Sequence, residues 1–367
     1  MQYNKLKNIE FLRFIFSLII VFFHVVMLKS YLCQNFLTID LYKYFTDNAG
    51  YAFFCVEFFF IISGFFLAQS NNIKEKSTSH FITGKIIRLW PTLATAIALY
   101  WIFSLFTPLE YNKYGNVLTL FFLNNIGITK IYPNIHSAWF VSVLFWVLLF
   151  YFNFIKICQN KYKNFYISLL VFITLGLTYN LSTRPIIFVL GWINFGIIRG
   201  IACVGLGYLI GTYLKDNIQR IKTCYNSLKH KIIISFLEIY LFCFLMYYLV
   251  FHKIKYTDRF GIYILAFCFL LVLCVIKKGF LSNILDNKFS ECLGRYSYSI
   301  YINHVIVLDL LRAYIWIPNK EFVYTYPIFN LILPLFLTII LYHLLEILLM
   351  KYLKKKLQPE TLVAVDR

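Results

Sequence analysis

FLRFIFSLIIVFFHVVM, residues 11–27, decides the fold class. Apart from Arg13, Ser17 and His24, every side chain in it is apolar. Extended to 8–28, the run has the roughly 20 residues that a helix needs to cross a bilayer core. It carries Arg13 and His24 and lacks a small-residue cleavage site, so it reads as a retained first span and not as a cleaved leader. Nine further segments of the same kind follow, at 50–69, 88–106, 138–156, 165–180, 195–214, 232–251, 260–276, 296–315 and 328–350. Segment 184–198 is apolar but interrupted by Pro185 and Gly191; it reads as a re-entrant or interfacial helix, or as the start of a tilted sixth span. The expected fold is all-α, a polytopic transmembrane bundle of about ten spans.

Composition supports this. Of the 367 residues, 60% belong to the hydrophobic set and 14% are charged, against about 25% charged in soluble domains. Mean hydropathy is +0.71. The net charge of +19 would fit nucleic-acid binding in a soluble chain. Here the basic residues lie in short clusters between apolar runs, where they determine topology and attract anionic lipid or phosphate, so no nucleic-acid partner is expected. With the N-terminus inside, 23 Lys and Arg fall on the cytoplasmic side, 9 on the opposite side and 3 within spans, which places both termini in the cytoplasm. Cysteines such as Cys55, Cys203 and Cys268 fall in apolar runs without C-x-x-C spacing and read as small apolar side chains. Residues 1–357 are expected to form one transmembrane domain, followed by a short cytoplasmic tail at 358–367.

Charged groups at bilayer depth cost several kcal/mol unless paired or hydrated, so each marks a site of function or of specific packing. Arg13 and His24 are 11 residues apart, three helical turns, which puts both on one face about 16 Å apart. Glu57 lies about two turns from the outer end of the second span, a depth matching that of His24, where it would orient the imidazole and raise its basicity. Ser63 and Gly64 follow; they lack a nucleophile-elbow context, and close helix approach with a serine–backbone bond accounts for them. KIIRLWP, residues 85–91, sets Lys85 and Arg88 on one face at the start of the third span, with Lys74 in the preceding loop. This pattern serves topology, or clamps phosphate at a helix N-terminus. Toward the C-terminus lie His304, Asp309 and Arg312, then His343 and Glu346. Glu346 falls at the depth of Arg13, where pairing would neutralise both. Arg199 precedes Gly200, Gly205, Gly207 and Gly211, a small-residue run suited to close helix packing. No metal-ligand spacing or P-loop occurs, and no metal is expected.

Taken in order, Arg13-(ten residues)-His24, VEFFFIISGFFLA, KIIRLWP, SAWFVSVLFW, the Arg199 glycine run, SYSIYINH and LYHLLE resemble the acyltransferase-3 family of integral membrane acyltransferases, over about 8–350. The resemblance implies a ten-span core that passes acyl groups, usually acetyl from cytoplasmic acetyl-CoA, to sugars or lipids at the outer face. It implies catalytic roles for His24 and Arg13, with Glu57 as the acidic residue of the second motif. Lys85 and Arg88 stand at the family's R-x-x-R pair, with Lys in place of the first Arg; Lys keeps the charge and loses the bidentate geometry. Tyr298 and His304 occupy the SY…YxxH segment, with Asn303 before the histidine. Members with a fused esterase-like domain are not the expected match.

The expectation is a multi-pass protein of the bacterial inner (plasma) membrane that moves an acetyl or short acyl group from acyl-CoA to a hydroxyl of a surface polysaccharide or lipid-linked glycan. The donor's phosphates would rest near Lys85, Arg88 and Lys74. His24, roughly 21 Å into a core of about 30 Å, would serve as general base or as a covalent relay. Ser63, Trp139, Arg199, Tyr298, His304 and Glu346 are expected to contact substrate or support the site; Trp139 would stack on a sugar or belong to an aromatic belt. Two other readings stand beside this one: a transporter or flippase for a glycan or lipid-linked intermediate, and an acyltransferase acting on a lipid or peptide. Against transport, the hydropathy shows no inverted repeat and no pair of broken helices.

Overall fold

The computed structural model describes residues 6–32, 52–70, 73–106, 111–124, 126–127, 131, 133–158, 160–180, 188–189, 193–252, 260–316, 318 and 327–357. In chain order the helices are α1 (Lys7–Leu32), a short 3-10 turn at Ala52–Phe54, α2 (Cys55–Gln69), α3 (Thr78–Ser104), α4 (Lys113–Leu120), α5 (Ala138–Ile157) and α6 (Asn160–Asn180). Strands β1 (Phe188–Val189) and β2 (Ile193–Asn194) come next, then α7 (Phe195–Cys224), α8 (Leu228–Phe251), α9 (Phe260–Ile276), α10 (Phe280–Ile284) and α11 (Lys288–Leu311). A π turn at Arg312–Trp316 follows; α12 (Pro327–Leu341), a second π turn at Tyr342–Glu346 and α13 (Ile347–Leu357) complete the order.

The described residues of the ten expected spans lie on helix except 105–106; residues 50–51 of the second fall outside the described residues. Among the described residues, seven helical stretches are long and apolar enough to cross a membrane: Lys7–Val25, Ala52–Gln69, Thr78–Ser104, Ala138–Ile157, Phe195–Cys224, Leu228–Phe251 and Ile332–Leu357. Tyr162–Thr178 and Gly261–Ile276 are shorter apolar helices. Segment 184–198 departs from expectation. Phe188 pairs antiparallel with Asn194 and Val189 with Ile193, so its described residues form a minimal β-ladder, and helix begins only at Phe195. Asn194 ends that ladder and caps α7, its side-chain oxygen accepting from the Gly196 amide at 2.7 Å. The third span starts earlier than its hydropathy suggests. Ser77 caps α3 by accepting from the His80 amide at 3.1 Å, eleven residues ahead of Arg88.

The described residues cluster into two units, one from Met1–Lys74 and Trp146–Ser297, the other from Glu75–Phe145 and Tyr298–Arg367. At the centre of the first unit α2 and α7 run parallel, backbone to backbone. A Cβ on Gly64 would collide with the Val204 carbonyl, one on Gly207 with the Ile61 carbonyl, and one on Gly211 with Ala68 and Phe65. Gly205, on another side of α7, accommodates the Tyr151 hydroxyl, which donates to the Ile201 carbonyl at 2.8 Å. Lipid offers no hydrophobic drive between helices, so this close approach gives α2 and α7 their dispersion contact. Phe16, Phe58 and Phe267 join α1, α2 and α9 in a buried aromatic cluster, with centroids 4.7 Å and 5.3 Å from Phe16. In the second unit α3 and α11 run parallel, the Tyr298 hydroxyl donating to the Leu89 carbonyl at 2.8 Å.

Candidate active site

The first unit places Arg13 and His24 on one uninterrupted helix, as their spacing requires. Arg13 is not a lone cation. Its guanidinium donates to Glu10 at 2.8 Å across one turn, with side-chain exposures of 15% and 10%. Glu10 in turn packs against Gly294, where any Cβ would strike its Cβ and carboxylate. Ser17 adds a bond from its hydroxyl to the Ser297 carbonyl at 2.9 Å, and Asn8 donates to the carbonyls of Cys274 and Ser282. The Arg13 end of α1 is therefore clamped. His24 is half-buried, its ring set edge-on to Phe23 at 5.3 Å. Glu10 and Gly294 were missed in the sequence, although the i,i+3 spacing of Glu10 and Arg13 was there to be read.

Glu57 does not stand where the depth estimate put it. Its carboxylate accepts from the Arg199 Nε at 2.5 Å, and both side chains are 1% exposed. The Phe53 and Phe195 rings each lie 6.0 Å from the guanidinium carbon. Phe58 meets Phe16 in the antiparallel neighbour α1, so Glu57 lies near the level of Phe16. His24 is eight residues further along, about 12 Å toward the other end of α1. Counting down from two helix ends failed because α1 and α2 do not end at the same level. Ser63 donates to the Phe59 carbonyl at 2.7 Å, the backbone bond expected of it. Lys74, at the close of this unit, is exposed.

In the second unit Lys85 is half-buried with its ammonium 5.1 Å from the Phe81 ring centroid, and Arg88 is exposed. Both lie at least two turns inside α3, with Pro91 within the helix, so the anion site at a helix N-terminus anticipated for them is not built. Next to them Glu346, 1% exposed, accepts from Thr92 at 2.6 Å, Ser299 at 2.6 Å and Asn303 at 2.5 Å. Arg13 and Glu346, expected to neutralise one another, thus each have partners within their own unit. Three donors satisfy a buried carboxyl without a cation. His304 is fully buried, its Nδ1 3.1 Å from the Ile300 carbonyl, which reads as a packed, backbone-tied histidine. Trp139 is 8% exposed and crosses Phe140 at a steep angle, so it supports α5 and does not offer an open face to a sugar. Among the described residues no group of His, Cys, Asp and Glu is arranged to hold a metal ion.

The family described as an acyltransferase domain, Acyl_transf_3, matches residues 6–350. The chain belongs to the acyltransferase-3 family. No curated protein and no solved structure matches it. The match makes this a multi-pass membrane acyltransferase and gives its buried polar residues a context. In this acyltransferase the half-buried imidazole of His24 lies on α1, three turns from Arg13. The residues of the other motifs mostly hold helices together: Glu57 with Arg199, Ser63 with its own helix, and Glu346 with Thr92, Ser299 and Asn303.

Proposed function

We propose that this acyltransferase moves an acetyl or similarly short acyl group from acyl-CoA to a hydroxyl of a surface polysaccharide or lipid-linked glycan in the bacterial plasma membrane. The observation that carries the reading is the α1 line within the matched family: Arg13 fixed by Glu10, and three turns on, a half-buried His24. His24 takes the proton of the acceptor hydroxyl as its oxygen attacks the thioester carbonyl. The tetrahedral intermediate collapses, the carbon–sulfur bond breaks, and the leaving thiolate takes the proton back from the imidazolium, giving an ester and free CoA. A histidine suits both steps because its ordinary pKa lies near neutrality. Lys85, Arg88 and Lys74 supply positive charge for the donor's phosphates. Arg13 orders the donor on the α1 face, and Tyr298, His304 and Glu346 support the helices that carry these groups.

Membranes containing the protein are supplied with radiolabelled acetyl-CoA, and ester-linked label on glycan is measured. Wild-type membranes should label glycan and His24→Ala membranes at equal protein level should not, a loss of at least about a hundredfold for a general base. Labelling that persists in His24→Ala removes the mechanism. Unlabelled glycan with altered glycan export points instead to transport.

A further inference from the structure

The Tyr298–Leu89 bond has a counterpart at the other end of the same two helices, where the Tyr100 hydroxyl donates to Asp309. Leu89 and Tyr100 are eleven residues apart on α3, as are Tyr298 and Asp309 on α11, so the two bonds lie about 16 Å apart along parallel axes. Lys85 and Arg88 flank the first bond, and the second is at the opposite end of α3. Tyr100 is 1% exposed and fixes one carboxylate oxygen of the half-buried Asp309. Arg312, three residues on, shares the helix face of Asp309 and is half-buried. His136 lies in the turn that leads into α5, which the Tyr301 hydroxyl holds against α11 by donating to the Ser137 carbonyl at 3.0 Å. It is exposed, and it and Arg312 are within electrostatic reach of Asp309. Among the described residues neither the Arg312 guanidinium nor the His136 ring makes a hydrogen bond to protein.

A partly desolvated guanidinium with five donors, an open carboxylate oxygen and an imidazole form an incomplete hydrogen-bonding set. We infer that Asp309, Arg312 and His136, with Tyr100 fixing Asp309, form the subsite that binds the hydroxyls of a neutral sugar acceptor. A vicinal diol donates to Asp309 and accepts from Arg312 and His136, completing the set. A phosphate or uronate would set its charge against Asp309, and an amine would set its own against Arg312. The inference rests on the acyltransfer reading above and supplies it with acceptor-binding residues. It also explains why ionisable groups at this end of α3 and α11 are not paired off as tightly as Glu57 and Arg199 are.

The test uses the full chain in membranes, radiolabelled acetyl-CoA as donor and, as acceptor, alkali-treated envelope glycan from the producing cells, which is free of esters. Asp309→Asn keeps an oxygen for the Tyr100 bond, and Arg312→Gln removes the fork of donors; unchanged thermal unfolding verifies that both variants fold. Each should raise the glycan concentration for half-maximal labelling about tenfold, the loss of one to two charged hydrogen bonds, with the acetyl-CoA requirement unchanged. Arg312→Lys should fall between Arg312→Gln and wild type. Unchanged glycan dependence in both variants, or donor and acceptor requirements rising together, overturns the subsite. Wild-type protein that labels no glycan at all defeats the acyltransfer reading itself, a result distinct from either.

Discussion

Single side chains decide more in this protein than their number suggests, because each polar group in the bundle must find its partner in protein. Glu57 and Arg199 are the sharpest case. Two ions at 1% exposure have already lost their hydration, and their mutual bond offsets that loss only while both are present. Glu57→Leu should therefore destabilise the folded protein by about 3–5 kcal/mol, the cost of a stranded guanidinium. Glu57→Leu combined with Arg199→Met should recover most of it. Thermal unfolding followed by size-exclusion fluorescence reads both, and a double variant no more stable than the single one would show that the pair does more than neutralise itself. Glu10 acts differently, on a partner that is 15% exposed and correspondingly screened. Glu10→Gln should leave folding intact and raise the acyl-CoA concentration for half-maximal rate by about threefold to tenfold, with the maximal rate little changed. An unchanged donor requirement would free Arg13 from any dependence on Glu10. The sequence singles out Arg13, His24, Glu57 and Arg199 as ionisable groups within apolar runs, and all four lie on helices long and apolar enough to cross a membrane. It could not pair them, since partnership depends on where helices cross and not on distance from their ends.

Between helices, the small residues set the geometry. Gly207 meets the Ile61 carbonyl, a backbone atom that cannot rotate away, so Gly207→Ala must push α2 and α7 apart. A cost of about 1–3 kcal/mol follows from overpacking. Gly176 in α6 has open space where its Cβ would stand, and Gly176→Ala should be neutral or stabilising by up to about 1 kcal/mol, as expected for glycine in a helix interior. Melting temperatures of the two variants in one detergent provide the comparison, and equal shifts would deny the close contact between α2 and α7. The helices were legible in the sequence: the described residues of the expected apolar segments are almost all helical, because hydropathy reports the solvent of a segment and lipid admits little but helix. Two features escaped. The first turns of α3, TSHFITGK, are polar enough to read as loop and become helix through the Ser77 cap. The β1–β2 ladder is too short to show a period, so its segment reads in the sequence as a re-entrant or interfacial helix or the start of a tilted span.

For the molecule as a whole, charge is the remaining sequence signal, and it bears directly on which end of the bundle faces the donor. With ten spans and the N-terminus inside, as expected from the sequence, 23 Lys and Arg fall on one side and 9 on the other. The last helix accords with this: α13 ends in Lys354, Lys355 and Lys356, all exposed, beyond apolar turns that would lie in lipid. Retaining such a cluster on the cytoplasmic side is the dominant rule of membrane insertion. By that rule the Lys85–Arg88 end of α3 is predicted to face the cytoplasm and the Tyr100 end the opposite side, the sides proposed above for acyl-CoA and for the glycan. A fluorescent protein fused after Lys356 should therefore fluoresce, and alkaline phosphatase fused there should be inactive. Phosphatase inserted after Asn112, eight residues beyond the end of α3, should be active. The reverse pattern would put Lys85 and Arg88 on the side opposite the one proposed for the donor, and with it the assignment of donor and acceptor to the two ends of α3 would fail.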